Sequence, residues 1–252
     1  MTRNRSILAL VAILAIGAGG YLAYDNVLRG DDIAPLALPS TSPSDAATSA
    51  PSAATASEPA SAAPSTTTTE GAVAGTWTVT SGSEAGYRVR ERLANLAAES
   101  DAVGRTTDVT GSITVVEGAD GAQLTAGEIT IDTTTITSDE DRRDNRLRSE
   151  GLQTDQFPTA TFTLTQPVDV PAAAVAGTAS DLTLVGDLTM HGVTKSVEIP
   201  AQAVLTDGQV QVAGSLSFPL ADFEITAPNV GGFIISIADE GALEFRVVFD
   251  RA

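Results

Sequence analysis

The 252-residue chain contains no cysteine, one histidine, and 14 lysines and arginines against 32 aspartates and glutamates. Without cysteine the protein has no disulfide bonds, no thiolate metal ligands and no thiol nucleophile. The single histidine excludes the histidine-rich classes of metal site. The net charge of −18 argues against nucleic acid as a partner, because phosphate backbones are bound by clustered lysine and arginine. The sequence therefore predicts no metal site and no nucleic-acid partner, and nothing in it indicates a cofactor.

Long uncharged apolar runs are absent except near the N-terminus. Residues 6–24 carry no charge, and a helix of this length can cross a hydrocarbon core of about 30 Å. Arg3 and Arg5 precede the run and acidic residues follow it, which predicts a cytoplasmic N-terminus. We interpret residues 1–30 as an uncleaved transmembrane helix in the cell membrane, with the C-terminal part of the chain outside the cytoplasm. The alternative is a signal peptide, whose cleavage would release a secreted protein.

Residues 31–74 offer little that a folded core could bury. Alanine, serine, threonine and proline dominate this segment, and six of the twelve prolines lie in it. Burial of such small and polar side chains cannot offset the conformational entropy that is lost when a chain becomes ordered. We therefore expect a disordered linker between the membrane anchor and a folded domain at residues 75–252.

The domain is predicted to be all-β, because apolar and polar residues alternate with a period of two in several of its segments. Such strands have one apolar face, which is typical of antiparallel sheets. Asp120-Gly121 and Asp207-Gly208 each lie between alternating runs and indicate tight hairpins. About eight strands of this kind would either stack as a sandwich or close into a barrel, which at this size can hold one small ligand.

One segment, residues 138–149, departs from the period of two and predicts a short helix. Its first residue is a serine, which is the expected N-cap. Two surface ion pairs with i,i+4 spacing are expected, Asp139 with Arg143 and Asp144 with Arg148. We interpret the segment as a charged, solvated helix that plugs one end of the barrel. The alternative is that one of its arginines faces an anionic ligand head.

The inward-facing positions of the alternating segments carry almost no charge. They could form a filled core or line a cavity, because both arrangements need the same apolar face. The candidate ligand-contacting residues of the interior are Ile113, Val115, Ile129, Ile131, Phe162, Leu164, Leu184, Leu188, Leu216, Phe245 and Val247.

His191 is the one candidate general base with an ordinary pKa near neutrality. A serine hydrolase of the α/β type would place its nucleophile in a G-x-S-x-G elbow, and the chain contains no such motif. We interpret His191 as a turn residue that bonds to the backbone beside Gly192, and we predict no catalytic residues.

Two long motifs resemble those of the YceI-like family, which is also called polyisoprenoid-binding. RRDNRLRSEGLQTDQFPTATF, residues 142–162, is similar to the family's Arg-Asp pair, leucine and Phe/Tyr-Pro-Thr-x-x-Phe strand. GDLTMHGVTKSVEIP, residues 186–200, is similar to its Gly-x-Leu-Thr-x-His-Gly-Val-Thr-Lys hairpin. The family-motif positions in this chain are Arg143, Asp144, Leu147, Pro158, Phe162, Leu188, His191, Gly192 and Lys195.

The resemblance implies a lipocalin-like antiparallel β-barrel with an apolar tunnel for a long-chain isoprenoid lipid, located outside the cytoplasm. The chain departs from the family pattern in two places. Residues 87–105 lack the histidine that many members carry in the first hairpin, and residues 223–225 replace a Phe-Gly-Ile segment.

On this resemblance we expect non-enzymatic binding of an apolar lipid, such as a polyisoprenoid, by a domain that its N-terminal helix tethers to the membrane. The alternative is a structural or protein-interaction module of the cell envelope. Such a module would have a filled core and would bind no ligand.

Overall fold

The computed structural model describes residues 33–39, 73–93, 99–118, 121–227 and 234–252. The predicted membrane anchor, residues 1–30, and most of the predicted linker, residues 40–72, lie outside these ranges. Within these ranges, no helix has the length and apolar character needed to span a membrane. The transmembrane anchor therefore stays a prediction.

Strands make up most of the described part of the domain, together with two short helices. Strands β1 to β11 are Gly75–Val79, Glu84–Leu93, Glu99–Thr106, Val109–Gly118, Gly121–Asp132, Thr159–Leu164, Val168–Val170, Ser180–Met190, Val193–Thr206, Gln209–Pro219 and Ile234–Arg251. Helix α1, Asp141–Arg146, continues as a π-helical turn, Leu147–Gly151, and helix α2 is Ala172–Val175. Short 3₁₀ turns occur at Thr133–Thr135 and Leu220–Phe223.

Eight of the strands form a closed antiparallel ring. Their order is β1, β4, β5, β6, β8, β9, β10, β11, and β11 pairs back with β1 so that Trp77 lies opposite Arg251. Strand β7 pairs with β5 outside this ring. The structure therefore confirms the predicted all-β antiparallel barrel of about eight strands with a short helix, and not the sandwich.

The hairpin of β2 and β3 extends the barrel wall at one end. Strand β11 is 18 residues long; its last three residues pair with β1 and its earlier residues pair with β2. On its other side β3 makes an isolated bridge from Arg105 to Thr137, shortly before α1. We call the end formed by β2, β3 and α1 the wide end, and the opposite end, where β7 and α2 lie, the narrow end.

The hairpin turns occur where the sequence indicates them. Asp207 and Gly208 join β9 to β10 with φ angles of 52° and 80°, as a type I′ turn requires. His191 and Gly192 join β8 to β9 in the same way, with φ angles of 51° and 76°. Residues 119–120 of the β4–β5 turn lie outside the described ranges, but the flanking strands pair as predicted.

The predicted charged helix is present, but it starts later than expected. Its N-cap is Glu140 and not Ser138, because the Glu140 side chain accepts a hydrogen bond from the backbone N–H of Arg142. The predicted ion pair of Asp139 with Arg143 is confirmed. The helix that the sequence placed over residues 138–149 therefore has a glutamate cap and a first turn held by this ion pair.

The second ion pair predicted for this helix is wrong. The Asp144 side chain is buried, and it accepts hydrogen bonds from the backbone N–H and the hydroxyl of Ser138. Arg148 instead donates to the backbone carbonyls of Thr134 and Ile136. Both side chains thus bind the loop before the helix, which fastens α1 to the end of the barrel.

Residues 33–39, which the sequence placed in a disordered linker, lie against the outside of the barrel. Leu38 is 8% exposed and packs with Val204 and Ala213. A backbone carbonyl of the segment also accepts a hydrogen bond from Arg88. Full burial of a leucine contributes about 1.5–3 kcal/mol, which helps to order a short stretch of backbone. This segment therefore has contacts with the barrel that its composition did not predict, while the disordered linker over residues 31–74 stays a prediction.

Candidate functional site

Three cavities follow one another along the barrel axis. Their volumes are about 110 Å³ at the wide end, about 80 Å³ in the middle and about 40 Å³ at the narrow end. The wide-end and middle cavities share the wall residues Ile131, Ala160 and Leu243. The middle and narrow-end cavities share Ile113, Leu124, Leu184 and Val212. The cavities therefore lie next to one another in a row along the axis, and the wide-end cavity approaches the size of a 150 Å³ cavity that binds benzene.

Ten of the eleven candidate interior residues line at least one cavity. They are Ile113, Val115, Ile129, Ile131, Phe162, Leu164, Leu184, Leu188, Phe245 and Val247. The eleventh, Leu216, packs against two separate clusters of buried hydrophobic residues in the barrel. The sequence therefore identified the inner face of the barrel, and contact of these residues with a ligand stays a prediction.

Three aromatic rings of the cavity wall lie against glycines of neighbouring strands. An added Cβ would come within 2.8 Å of the Phe245 ring at Gly214, 2.5 Å of the Phe162 ring at Gly186 and 2.3 Å of the Tyr87 ring at Gly104. Each ring therefore occupies the volume that a side chain at the glycine would take. This arrangement keeps the rings close to the wall and leaves space along the axis.

The narrow end is lined by apolar residues throughout the described wall. Ala174 of α2 is 2% exposed, and Val175 of the same helix lines the cavity there. Trp77 is buried, and its indole N–H donates to the carbonyl of Val73 at 2.9 Å. This end can stabilise a ligand only by apolar contact, at about 0.8 kcal/mol for each buried CH₂ group.

The wide end has charged groups at the edge of the apolar path. Tyr87, Val89 and Glu91 alternate along β2 and all contribute to the cavity wall. The Glu91 carboxylate is 3% exposed and accepts from Nη2 of Arg143 at 2.8 Å. Burial lowers the pKa of Arg143, but the carboxylates of Glu91 and Asp139 outweigh this effect and the net pKa is raised.

The Tyr87 hydroxyl lies among these charges. Burial raises the pKa of Tyr87 to about 12; the carboxylates of Asp144, Glu91 and Asp139 act in the same direction and Arg143 acts against them. The phenol is therefore a hydrogen-bond donor at physiological pH. Among the residues that the structure describes, neither this hydroxyl nor Nε of Arg143 has a hydrogen-bond partner.

A second buried carboxylate, Glu244, joins three strands at the wide end. It accepts from Nε of Arg88 on β2 at 2.6 Å and from Nη2 of Arg105 on β3 at 2.5 Å. Burial acts to raise the pKa of Glu244, but the hydrogen bonds from the two arginines outweigh it and the net pKa is lowered. This triad holds the β2–β3 hairpin to β11.

The family-motif positions divide into residues of the cavity wall and residues that support it. Arg143, Leu147, Phe162 and Leu188 line the cavities. Asp144 binds Ser138 next to α1, and the carbonyl of Pro158 accepts from the backbone N–H of Thr133. Lys195 is exposed on β9, opposite Leu188 of β8. The motif therefore marks the wide end and the strands that lead to it.

His191 is a turn residue bonded to the backbone, as predicted. Its Nδ1 lies 3.0 Å from the carbonyl oxygen of Phe223, so Nδ1 carries the proton and donates. Its ring meets the ring of Phe157 edge-on, with 4.8 Å between centroids, and a Cβ at Gly192 would come within 2.6 Å of the same ring. In the described ranges, no group of three or more potential ligand side chains could hold a metal ion.

Sequence reasoning missed the polar part of the wide end. Tyr87 and Glu91 were not candidates, although the alternation along β2 places both on the inner face. The predicted solvated helix is also only partly correct, because Arg143 of α1 is turned toward the buried Glu91 and its side chain is 17% exposed. A carboxylate at an inward position, opposite a helix rich in arginine, was the signal that could have revealed this site.

Comparison with curated proteins finds relatives for part of the domain. A UPF0312 protein of Shewanella denitrificans is 35% identical over 116 residues, which cover 42% of this chain and 56% of that protein. Protein YceI of Escherichia coli is 39% identical over 77 residues, which cover 30% of this chain and 36% of that protein. The chain thus spans about half the length, or less, of these curated relatives.

Comparison with solved structures and with family models gives the fold and the family. A polyisoprenoid binding domain from Saccharophagus degradans, implicated in plant cell wall breakdown, matches with a TM-score of 0.52 at 18% identity. The match covers 71% of this chain and 99% of that domain, and it shows a shared fold. The YceI-like domain model matches residues 77–249, which is more than half of the chain. This protein therefore belongs to the YceI-like family.

Proposed function

We propose that the domain binds the apolar chain of a long lipid, such as a polyisoprenoid, along the barrel axis and performs no catalysis. The observation that carries this proposal is the row of three cavities between the charged wide end and the wholly apolar narrow end. Burial contributes about 0.8 kcal/mol per CH₂ group, so a long chain needs no polar contact along its length. Membership of the YceI-like family and the polyisoprenoid binding of the Saccharophagus degradans domain support the same ligand class.

The ligand tail lies toward the narrow end and the ligand head lies at the wide end. Within the described walls, every residue that lines the middle and narrow-end cavities is apolar except Thr161. A polar head buried there would lose its hydrogen bonds to water and find almost no replacement. The wide end offers Tyr87, Glu91 and Arg143, so a polar head is stabilised only at that end.

The domain works outside the cytoplasm, tethered to the cell membrane by its N-terminal helix. The uncharged run at residues 6–24, with basic residues before it and acidic residues after it, supports this location. A tether keeps the barrel near the bilayer from which an apolar ligand partitions. Secretion after signal cleavage is the alternative, and the mass of the intact protein distinguishes the two.

The competing function is a structural or protein-interaction module of the cell envelope with a filled core. Close-packed protein interiors contain few voids larger than a water molecule. The row of cavities along this barrel, the largest of about 110 Å³, favours ligand binding over that alternative.

The proposal is tested by native mass spectrometry of the full-length protein purified from its own host, followed by lipid extraction. We expect a bound apolar lipid, released when the protein is denatured and identified from the extract. A protein that is consistently empty, and that takes up no long-chain prenol when one is added, would overturn the proposal and favour the envelope module.

A further inference from the structure

A short segment ahead of the barrel, residues 33–39, binds to the outer wall although it lies outside the stretch that the YceI-like model matches. We call this segment the strap. At its N-terminal end, the backbone carbonyl of Ile33 accepts a hydrogen bond from Nη2 of Arg88, at 2.7 Å. Arg88 lies on β2 in the wall of the wide-end cavity, and its guanidinium also binds the carboxylates of Glu244 and Asp101. The strap therefore begins at the wide end.

From there the strap runs along the outer wall toward the narrow end. Leu38, near its C-terminal end, is 8% exposed and packs on Val204 of β9 and Ala213 of β10. Val204 also belongs to the wall of the narrow-end cavity. Between these points, Leu36 and Ala37 line a surface groove together with residues of β8, β9 and β10. One end of the strap is therefore bound at the wide end, and the other is bound toward the narrow end.

The strap changes the end of the barrel at which the N-terminal part of the chain is attached. Without the strap, the barrel would be attached through Val73, which lines the narrow-end cavity. A coil of the length of residues 25–72 has a root-mean-square span of about 35–42 Å. With the strap bound, the point of attachment is Ile33 at the wide end. Residues 25–32 then separate it from the uncharged run, and they reach at most about 26–29 Å in any conformation.

We infer that the strap orients the tethered barrel, so that the wide end is held toward the bilayer and the narrow end points away from it. This inference rests on the membrane tether of the proposed function, which the uncharged run at residues 6–24 supports. The net charge of −18 argues against attraction of the barrel to anionic headgroups, so the point of attachment determines the orientation. The length of residues 40–72 then does not set the distance between the barrel and the bilayer.

The test measures how far each end of the barrel lies from the membrane in the full-length protein. Because the chain has no cysteine, Asn145→Cys on α1 or Ala173→Cys on α2 places a single fluorophore at an exposed position of the wide or the narrow end. Each labelled protein is reconstituted in phosphatidylcholine nanodiscs with acceptor dyes on the headgroups, and energy transfer gives the mean distance. Tilted strands of the length of β8 put the two ends about 25–30 Å apart, so we expect the wide-end label to lie at least about 10 Å closer to the headgroups.

The decisive variant is Leu38→Glu, which places a charge where the strap packs on the barrel. It should release the strap and pass the attachment to Val73, so the difference between the two labels should disappear or reverse. Ala34→Glu is the matched control, because it adds the same charge at an exposed position of the strap and should leave both distances unchanged. Deletion of residues 45–60 should also leave both distances unchanged while the strap is bound, and it should shorten them in the Leu38→Glu background.

The outcomes separate this inference from the proposed function. Equal distances of the two labels, or a difference that Leu38→Glu leaves unchanged, would overturn the inference while the tether and the lipid binding stand. An intact mass that shows loss of the N-terminal segment, or a protein that does not enter the nanodiscs, would overturn the tether and this inference together, and lipid binding would stand. A lowered melting temperature identifies a variant with a folding defect, and the two labels in the chain with an intact strap then decide the question.

Discussion

The wide and narrow ends of this barrel differ in what lines them and in what holds them together. At the narrow end the wall is apolar, and the small helix α2 closes it through Ala174 and Val175. At the wide end the closing helix α1 is charged, and it is fastened through an ion pair with a carboxylate that is 3% exposed. If the barrel binds lipid as proposed, two such different ends would give an elongated amphiphilic ligand one favourable orientation.

The two ends also differ in the interactions that close them, which are apolar at the narrow end and ionic at the wide end. Apolar burial needs no particular geometry, so a short alanine-rich helix suffices at the narrow end. A buried carboxylate is tolerated only when a cation and hydrogen bonds compensate it. The wide end therefore depends on a defined set of partners, and we expect it to be the more sensitive to mutation, pH and salt.

The largest expected effect comes from blocking the path between the two ends. Ala160 is 3% exposed and lies in the shared wall of the wide-end and middle cavities. Ala160→Phe should lower the affinity for a long isoprenoid by more than about a hundredfold, because several CH₂ groups at about 0.8 kcal/mol each lose their place. Titration with a fluorescent apolar probe measures this.

The control for this block is Ala126→Phe, which adds the same ring at an exposed position on the outside of β5. It should leave lipid affinity unchanged. If Ala160→Phe bound a long isoprenoid as tightly as the wild type, the ligand would not lie along the barrel axis. The difference between the two ends would then not determine how the ligand binds.

The second prediction concerns the ion pair that holds the wide end. Arg143→Ala leaves the Glu91 carboxylate buried without its cation, and we expect a loss of about 2–3 kcal/mol in the free energy of unfolding. Arg90→Ala, on the same strand as Glu91, removes an arginine whose side chain is 61% exposed and should cost no more than about 0.5 kcal/mol. Urea denaturation gives both values, and equal losses would show that the buried pair has no special role.

The third prediction tests the segment bound outside the barrel. Leu38→Ala removes most of the side chain that packs on Val204 and Ala213, and we expect a loss of about 1 kcal/mol, since the site is at the surface and can relax. Proteolysis near residues 33–39 should become faster. An unchanged stability and cleavage rate would mean that this segment does not hold to the barrel in solution.

The fourth and smallest prediction concerns acid. The folded-state pKa of Glu244 is lowered below its ordinary value of 4.5, so the unfolded state takes up this proton first as the pH falls. The stabilisation is therefore present above about pH 4.5 and is lost as the pH falls through the lowered pKa. Glu244→Gln should therefore lose less stability than the wild type when the pH falls from about 6 to about 3. Thermal melts over this pH range measure the difference. If the variant and the wild type lost stability equally over this range, the lowered pKa of Glu244 would not contribute to folding.

The fold was predictable because alternation and turn residues are local signals. The period of two in β8, Ser180–Met190, and in β10, Gln209–Pro219, identifies inward faces without any knowledge of strand pairing. Residues such as Ile113 and Leu184 were therefore placed in the interior correctly. The closure of the ring between β1 and β11 depends on residues at the two ends of the domain, and no local pattern specifies it.

The polar site was less predictable because it depends on partners distant in sequence. Glu91 and Arg143 are 52 residues apart, and each looks like an ordinary surface charge by itself. The same applies to Asp144, which bonds Ser138 in place of Arg148, and to Leu38, whose burial requires the outer face of β9 and β10. Only the assembled barrel shows which charges are buried together.

The most direct test of the account locates the tail of a bound lipid. An isoprenoid alcohol with a photoreactive diazirine at the end of its tail is bound to the full-length protein and irradiated, and the modified residues are mapped by peptide mass spectrometry. The account predicts modification at the narrow end, at residues such as Val115, Leu182 and Val212. Modification confined to the wide end or to the outer surface would contradict it.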